Sequence, residues 1–287
     1  MQKIGVLYIC TGPYYLFWED FYKSFEEKFI RDIKKEYYVF TDAERIYGEE
    51  FENVHRIKLD PQPWPLVTLL RFATFLSIED ELKKCNYLMF SNANMVCDEV
   101  IEFDDMLPRK EKQEHLFVTT HPGYLGKHII SKPYDRNKKS LAYVPWNCGK
   151  DYVIGAMFGG ETEAFLRMSK TLKQRIEEDL KHNIIAKWHD ESHLNRYIIN
   201  RNDVRIISPE YCYPFGMNVD YTKKISAVSK QAKFDVKSFK GQYDIKRPFV
   251  LKAINKIKRS IKLKEIVLFL SDTILLKTVK VIRDEKT

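Results

Sequence analysis

Tyr87-Leu88-Met89-Phe90-Ser91-Asn92-Ala93-Asn94-Met95-Val96 is an apolar run that ends in a short polar triplet. A buried strand reads this way when its carboxyl end opens into a site, and in open α/β sheets that end is where ligands bind. The triplet also bears on the chemistry. Aspartates at 92 and 94 would present charged oxygens to a divalent cation bridging a diphosphate. Asparagine offers neutral oxygens and no charge, so it anchors a hard cation poorly. A diphosphate bound here must be neutralised by something else.

Working outward, strands and helices alternate. Ile4–Cys10 reads as a first strand, Glu36–Thr41 as a second and Val54–Leu59 as a third. Tyr15–Ile33 carries Phe17, Phe21, Phe25 and Phe29 at helical spacing, and Val67–Lys84 reads as one helix with Leu69, Phe72, Phe75, Leu76 and Leu82 on its apolar face. Met95–Lys150 is richer in Pro, Gly and turn residues. Asp151–Phe158 returns to strand composition and ends at Gly159-Gly160. Glu161–Ala186 reads as a long helix broken near His182-Asn183, followed by a helix over Trp188–Asn200 and a strand over Val204–Ile207. Interleaved strands and helices predict an α/β sandwich with a mostly parallel sheet.

The chain has 287 residues, 44% apolar and 14% aromatic, enough for a substantial core. Its net charge of +8 is uneven. Lys246–Arg283 holds eleven Lys/Arg against Glu265 and Asp272, so the basicity belongs to a tail and the remainder is near neutral. That argues against a nucleic-acid-binding protein. The tail's apolar positions (Ile254, Ile257, Ile261, Ile266, Leu268, Leu270) alternate with lysines, the pattern of an amphipathic helix that lies on an anionic membrane surface or packs on the domain. Five scattered cysteines without a CxxC point to a reducing compartment rather than a disulfide framework. No stretch is apolar enough to span a membrane, and a cytoplasmic protein is expected.

The densest polar cluster is Lys187-Trp188-His189-Asp190-Glu191-Ser192-His193-Leu194-Asn195. His189 and His193 are four apart and would share a helix face as zinc ligands do. The zincin pattern, however, needs Glu directly after the first His, where Asp190 stands. Asp190 or Ser192 would also cap a helix start. A third reading sets Glu191 against a sugar's anomeric carbon, where a carboxylate stabilises oxocarbenium-like charge or attacks it, with Trp188 as an aromatic face for an acceptor sugar. Val153–Gly160 combines an apolar strand with small residues that let a bulky ligand approach the backbone, or equally reads as a strand that ends in a tight turn. Arg71, among apolar neighbours, requires an anionic partner, a structural carboxylate or a ligand phosphate.

Together these segments resemble glycosyltransferase family 6, the family of the histo-blood group A and B transferases and the α-1,3-galactosyltransferases. The matching pieces are Tyr37–Asp42, Trp64–Arg71, Asn92-Ala93-Asn94, His121-Pro122-Gly123, Tyr134-Asp135-Arg136, Ala142–Pro145, Gly155–Gly160, Trp188–Asn195 and Ser208–Tyr211. The resemblance, to the shorter bacterial type above all, covers roughly 1–235. It implies a GT-A fold, Rossmann-like, with a mixed, mostly parallel sheet flanked by helices. Domains are expected over 1–245 (a nucleotide half, 1–95; a sugar half, 96–220; a segment closing over nucleotide, 221–245), with a basic helical tail over 246–287.

The resemblance further implies retaining transfer from a UDP-sugar to a 3-hydroxyl, giving an α-1,3 linkage. By matched position, Glu191 is the catalytic carboxylate. Ile9, Cys10, Thr11 and Tyr14 cradle uridine, and Arg71, Asn92, Ala93, Asn94 and Asp190 lie along the diphosphate and donor sugar. Ile154, Gly155 and Ala156 select the sugar, and His121, Trp188 and Glu191 meet the acceptor. Vertebrate members hold manganese on two aspartates. With Asn92 and Asn94 in their places, no metal and no other cofactor is expected, and Lys230 is expected to fold over the diphosphate with Arg71 assisting. The expected donor is UDP-N-acetylgalactosamine, ahead of UDP-galactose. The expected acceptor is a β-galactoside, fucosylated as in 2′-fucosyllactose. A family aspartate soon after Ser-Pro-Glu-Tyr is replaced here by Pro214, which alters the acceptor contacts. The rivals are a zinc hydrolase on His189 and His193 and a non-catalytic glycan or nucleotide-sugar binding protein.

Overall fold

A computed structural model describes residues 2–217 and 219–236. The basic tail read over 246–287 lies outside the described residues, as does the closing segment beyond 236. In chain order the elements are β1 (Lys3–Ile9), α1 (Trp18–Lys28), β2 (Lys34–Thr41), β3 (Val54–Lys58), α2 (Leu66–Leu69), α3 (Arg71–Leu76) and α4 (Glu79–Leu82). Then come β4 (Tyr87–Ser91), β5 (Met95–Cys97), α5 (Phe103–Met106), β6 (Leu116–Thr120), β7 (Val153–Glu161), α6 (Thr162–Lys181), α7 (His189–Ile198), β8 (Val204–Ile207) and β9 (Ile225–Ala227).

The main sheet has the order β3-β2-β1-β4-β7-β6-β8. Strands β1, β2, β3 and β4 pair in parallel, as do β6 and β8, while β7 runs antiparallel to both its neighbours. A small sheet pairs β5 with β9. Side chains leave the strands with period two and build a core on each face. From β1, β2 and β4, the residues Val6, Tyr8, Tyr37, Val39 and Met89 enter one core with Trp18, Phe21, Phe25 and Phe29 around α1. Their alternates Leu7, Tyr38, Phe40, Leu88 and Phe90 enter the other, with Phe72, Phe75, Phe165 and Leu172 from α3 and α6. Such a helix-covered, mostly parallel sheet is the GT-A arrangement expected from the sequence.

Four expectations need correction. The single helix over Val67–Lys84 is three short ones. Thr68, Thr74 and Ser77 donate their hydroxyls to the carbonyls of Pro65, Leu70 and Thr74, and such back-bonding competes with the helical ladder. The helix over Tyr15–Ile33 is likewise shorter, since Gly12–Phe17 forms a 3₁₀ segment ahead of α1. The Met95–Lys150 stretch, read as rich in turns, contributes β6 to the sheet, between β7 and the edge strand β8. Gly159 lies inside β7 rather than beyond it. A Cβ there would meet the Leu88 carbonyl oxygen at 2.4 Å and the Phe117 ring at 2.5 Å, so only glycine lets β4 and β6 close on it.

Candidate active site

The carboxyl ends of β1 and β4, the first residues of β7 and the first turn of α7 meet at one place. Asn92 N–H donates to the Ala156 carbonyl at 2.9 Å, joining the triplet after β4 to the strand segment Ile154-Gly155-Ala156. The Tyr8 hydroxyl of β1 donates to the Ala93 carbonyl at 2.8 Å. Asn195 fixes α7 against β7. Its Oδ1 accepts from Val153 N–H at 2.9 Å, and its Nδ2 donates to the Val153 and Glu191 carbonyls at 2.8 and 2.9 Å. Ser192 Oγ accepts from Trp188 N–H at 2.9 Å, but α7 starts at His189 behind Trp188, so neither Asp190 nor Ser192 is its N-cap.

That docking brings Glu191 to the strand. Its Oε2 accepts from Gly155 N–H at 2.8 Å, and its Oε1 accepts from the Tyr152 hydroxyl at 2.7 Å. A Cβ on Gly155 would lie 3.2 Å from the Glu191 Cβ and 3.3 Å from Asp190 Oδ2, so the glycine makes room for both acids. Burial pushes the Glu191 carboxyl up to about 7, and neighbouring Asp190 adds to this; the Gly155 N–H, the Tyr152 hydroxyl and Arg71 pull the other way. A half-buried carboxyl poised near neutrality is common at sites of chemistry.

The anionic partner that Arg71 required is Asp190, at 3.2 Å, with both side chains buried. Arg71 Nη1 also donates to the Gly155 carbonyl at 2.6 Å, and its guanidinium lies 4.3 Å from the Phe90 ring centroid. Burial pushes the Asp190 carboxyl up and the Arg71 charge opposes it, while guanidinium stays protonated. The pair is an ion pair in a dry setting.

Ile9 ends β1 and Cys10 and Thr11 follow it, with Cys10 N–H donating to the Phe40 carbonyl at 2.9 Å. Tyr14 follows on the 3₁₀ segment. Phe234 packs on it at 5.2 Å between ring centroids and on Phe17 at 6.1 Å, and Lys230 Nζ lies 5.2 Å from the Tyr14 ring centroid. Burial pushes the Lys230 ammonium down from its ordinary value. Asn94 explains how this late segment reaches the site. Its Nδ2 donates to the Val228 carbonyl at 2.9 Å, and Val228 N–H donates back to the Asn94 carbonyl at 2.8 Å. Asn94 therefore anchors the strap that carries Lys230 two residues later. At the triplet itself the donors are neutral amides, which do not fit a hard divalent cation.

On the other side, His121 caps a 3₁₀ turn, Nδ1 accepting from Gly123 N–H at 3.0 Å. Burial pushes its ring down to about 4, so it is neutral at physiological pH with the proton on Nε2. Trp188 is 48% exposed at the start of α7. The two histidines of the zinc reading part company. His189 adopts φ +54° and meets the Trp64 ring edge-on at 4.7 Å, whereas His193 is fully buried, 3.6 Å from Asp179. Among the described residues no group of three or more His, Cys, Asp or Glu could hold a metal ion. Sequence reasoning missed Tyr152 and the clamp role of Asn195. Tyr152 reads as strand filler, and only the Trp188–Asn195 run hinted at the second.

The model of glycosyltransferase family 6 matches residues 1–238. The chain belongs to glycosyltransferase family 6. The family 6 relatives include the O-antigen biosynthesis glycosyltransferase WbnI of Escherichia coli, 39% identical over 76% of this chain and 91% of the relative. The histo-blood group ABO system transferase 2 of Rattus norvegicus is 30% identical over 73% of this chain and 63% of its own. Globoside alpha-1,3-N-acetylgalactosaminyltransferase 1 of Homo sapiens is 30% identical over 73% and 60%. The chain thus spans about six tenths of the length of these two vertebrate relatives. Membership makes the protein a hexosyltransferase that takes a nucleotide-sugar donor and a glycan acceptor. Among the described residues, no helix of this family 6 protein is long and apolar enough to cross a membrane.

Proposed function

We propose that the protein transfers N-acetylgalactosamine from UDP-N-acetylgalactosamine to the 3-hydroxyl of a β-galactoside, with retention and without a metal ion. The observation that carries this reading is Glu191, half-buried, doubly hydrogen-bonded and set between the donor-selecting strand and the Arg71–Asp190 pair. In this reading Glu191 faces the anomeric carbon as the bond to UDP breaks. Ile154, Gly155 and Ala156 line the donor sugar. Trp188 offers its exposed ring to the acceptor, and the neutral His121 donates from Nε2 to an acceptor hydroxyl. The relatives' printed names include both an α-1,3-N-acetylgalactosaminyltransferase and an α-1,3-galactosyltransferase, and Ala156 suits either donor. UDP release from UDP-N-acetylgalactosamine and UDP-galactose in EDTA, with and without 2′-fucosyllactose, tests the reading. Acceptor-dependent release with the first donor is expected. No release from either donor, with ligand still bound, would point to a non-catalytic binding protein.

The departing UDP gains negative charge, and a pre-positioned cation stabilises it best in a site shielded from water. Lys230 takes that part, brought in by the Asn94–Val228 clamp and the Phe234 packing. Lys230→Ala is expected to lower kcat by about 100-fold in EDTA, the scale for loss of one transition-state charge contact. Unchanged turnover would remove the lysine from the mechanism, and wild-type activity lost in EDTA and restored by manganese would overturn the metal-free reading.

For the basic tail, contact with an anionic membrane surface is proposed from its sequence. The full chain is expected to co-sediment with vesicles containing phosphatidylglycerol, and a chain truncated at Lys246 is not. Equal binding by the two would dismiss the tail.

A further inference from the structure

Glu191 is held at both carboxylate oxygens, and the two donors differ in kind. Gly155 N–H is a backbone donor that no substitution removes. Tyr152 is a side-chain donor, 1% exposed, whose ring lies 5.7, 5.3 and 5.1 Å from the rings of His121, Tyr124 and Tyr134. The surrounding backbone is also pinned. His121 N–H donates to the Tyr152 carbonyl at 2.9 Å, and the Tyr134 hydroxyl donates to the Asp151 carbonyl. A phenol packed on several sides has little freedom to turn its hydroxyl elsewhere. No other hydrogen bond of that hydroxyl competes with the one to Glu191 among those found in the described residues.

We propose that Tyr152 is a positioning residue for glycosyl transfer, whose hydroxyl fixes the plane of the Glu191 carboxylate and favours its charged form. The proposal rests on the reading of Glu191 as the reacting carboxylate. The remaining groups that face Glu191 are Asp190 beside it on α7, Arg71 from α3 and the thiol of Cys212, in the turn Pro209–Cys212. Arg71 is committed to Asp190, and burial pushes the Cys212 thiol up to about 12, so it stays neutral. Burial also keeps the Tyr152 phenol protonated, well above the ordinary tyrosine range. Among the described residues, the Tyr152 hydroxyl is the one side-chain group found donating a direct hydrogen bond to Glu191. A hydrogen bond to the charged form lowers a carboxyl's pKa, so losing it raises that value.

The test compares the wild type with Tyr152→Phe and with 3-fluorotyrosine at position 152, a more acidic phenol and a stronger donor. Two readouts are taken: the pH dependence of kcat with donor and acceptor KM, and a ¹³C NMR titration of the Glu191 carboxyl in the free enzyme, assigned by its loss in Glu191→Gln. Tyr152→Phe is expected to move the acidic limb and the ¹³C titration up by about one pH unit, and to lower kcat about tenfold at slightly acid pH with donor KM unchanged. Fluorotyrosine is expected to move both down, and it carries the test should the Phe variant fail to fold. A wild-type limb and titration in both variants would overturn the proposal, as would a raised KM with kcat unchanged. The NMR titration needs no turnover. A wild type that transfers no sugar would defeat the Glu191 reading, while the titration would still judge the Tyr152 bond.

Discussion

Glu191→Gln is expected to lower kcat by about 10³-fold while UDP binding survives. The substitution is nearly isosteric, so the strand and α7 keep their packing. What changes is charge: the carboxylate is half-buried and held by two donors, and a pre-positioned electrostatic contact with developing positive charge counts more there than in bulk water. A nucleophilic role would make the loss larger still. One arrangement is also spoiled. Gly155 N–H and the Tyr152 hydroxyl both donate to this carboxylate, and a glutamine has only one oxygen to offer them. The same geometry sets the pH dependence. Burial raises the carboxyl to about 7, so below that value Glu191 is protonated and neutral, and above it the working anion forms. Activity is therefore expected to rise with pH through about 7, and this limb is expected to be missing from the residual activity of Glu191→Gln. Single-turnover UDP release, with UDP binding followed by calorimetry, checks both points. Wild-type kcat in the variant would sink the catalytic assignment.

The sheet was largely legible because its strands carry a two-residue alternation feeding two cores. Tyr37, Val39, Tyr38 and Phe40 enter opposite cores as their spacing requires. Strand β6 was not legible. Leu116-Phe117-Val118-Thr119-Thr120 is a five-residue run inside a turn-rich stretch, and periodicity is weak over so short a span. At the site, the need of Arg71 for an anion was readable from its apolar neighbours, but the identity of that anion was not. Asp190 lies more than a hundred positions away, and only folding brings it within 3.2 Å. Asn94 shows the opposite case. Its chemistry read as a missing metal ligand, yet the fold gives its amide a separate task, holding the backbone at Val228. Tyr152 left no signal at all, because a tyrosine ahead of an apolar strand looks the same whether or not its hydroxyl meets a carboxylate.

Asp190→Ala is expected to destabilise the fold by about 3–5 kcal/mol, since it strands the Arg71 guanidinium in a buried site with its partner gone. At about 2–4 °C of melting temperature per kcal/mol, the fall should be on the order of 10 °C. Arg71→Met should cost a similar amount by leaving Asp190 unpaired. Burial already pushes that carboxyl up, so without Arg71 it is expected to take a proton, which softens the loss on the arginine side. The double change Arg71→Met with Asp190→Leu removes both charges and fills the space with apolar atoms. It is expected to regain most of the lost stability, as buried ion pairs replaced by packed hydrophobes often do. It should not regain activity, because Arg71 Nη1 also holds the Gly155 carbonyl, and Gly155 N–H holds Glu191. Thermal melts of the two singles and the double form a mutant cycle, and turnover is read on the same proteins. Losses that simply add would show that the pair does not act as a unit. A double variant with restored turnover would show that the pair shapes the fold and leaves the chemistry to Glu191 alone.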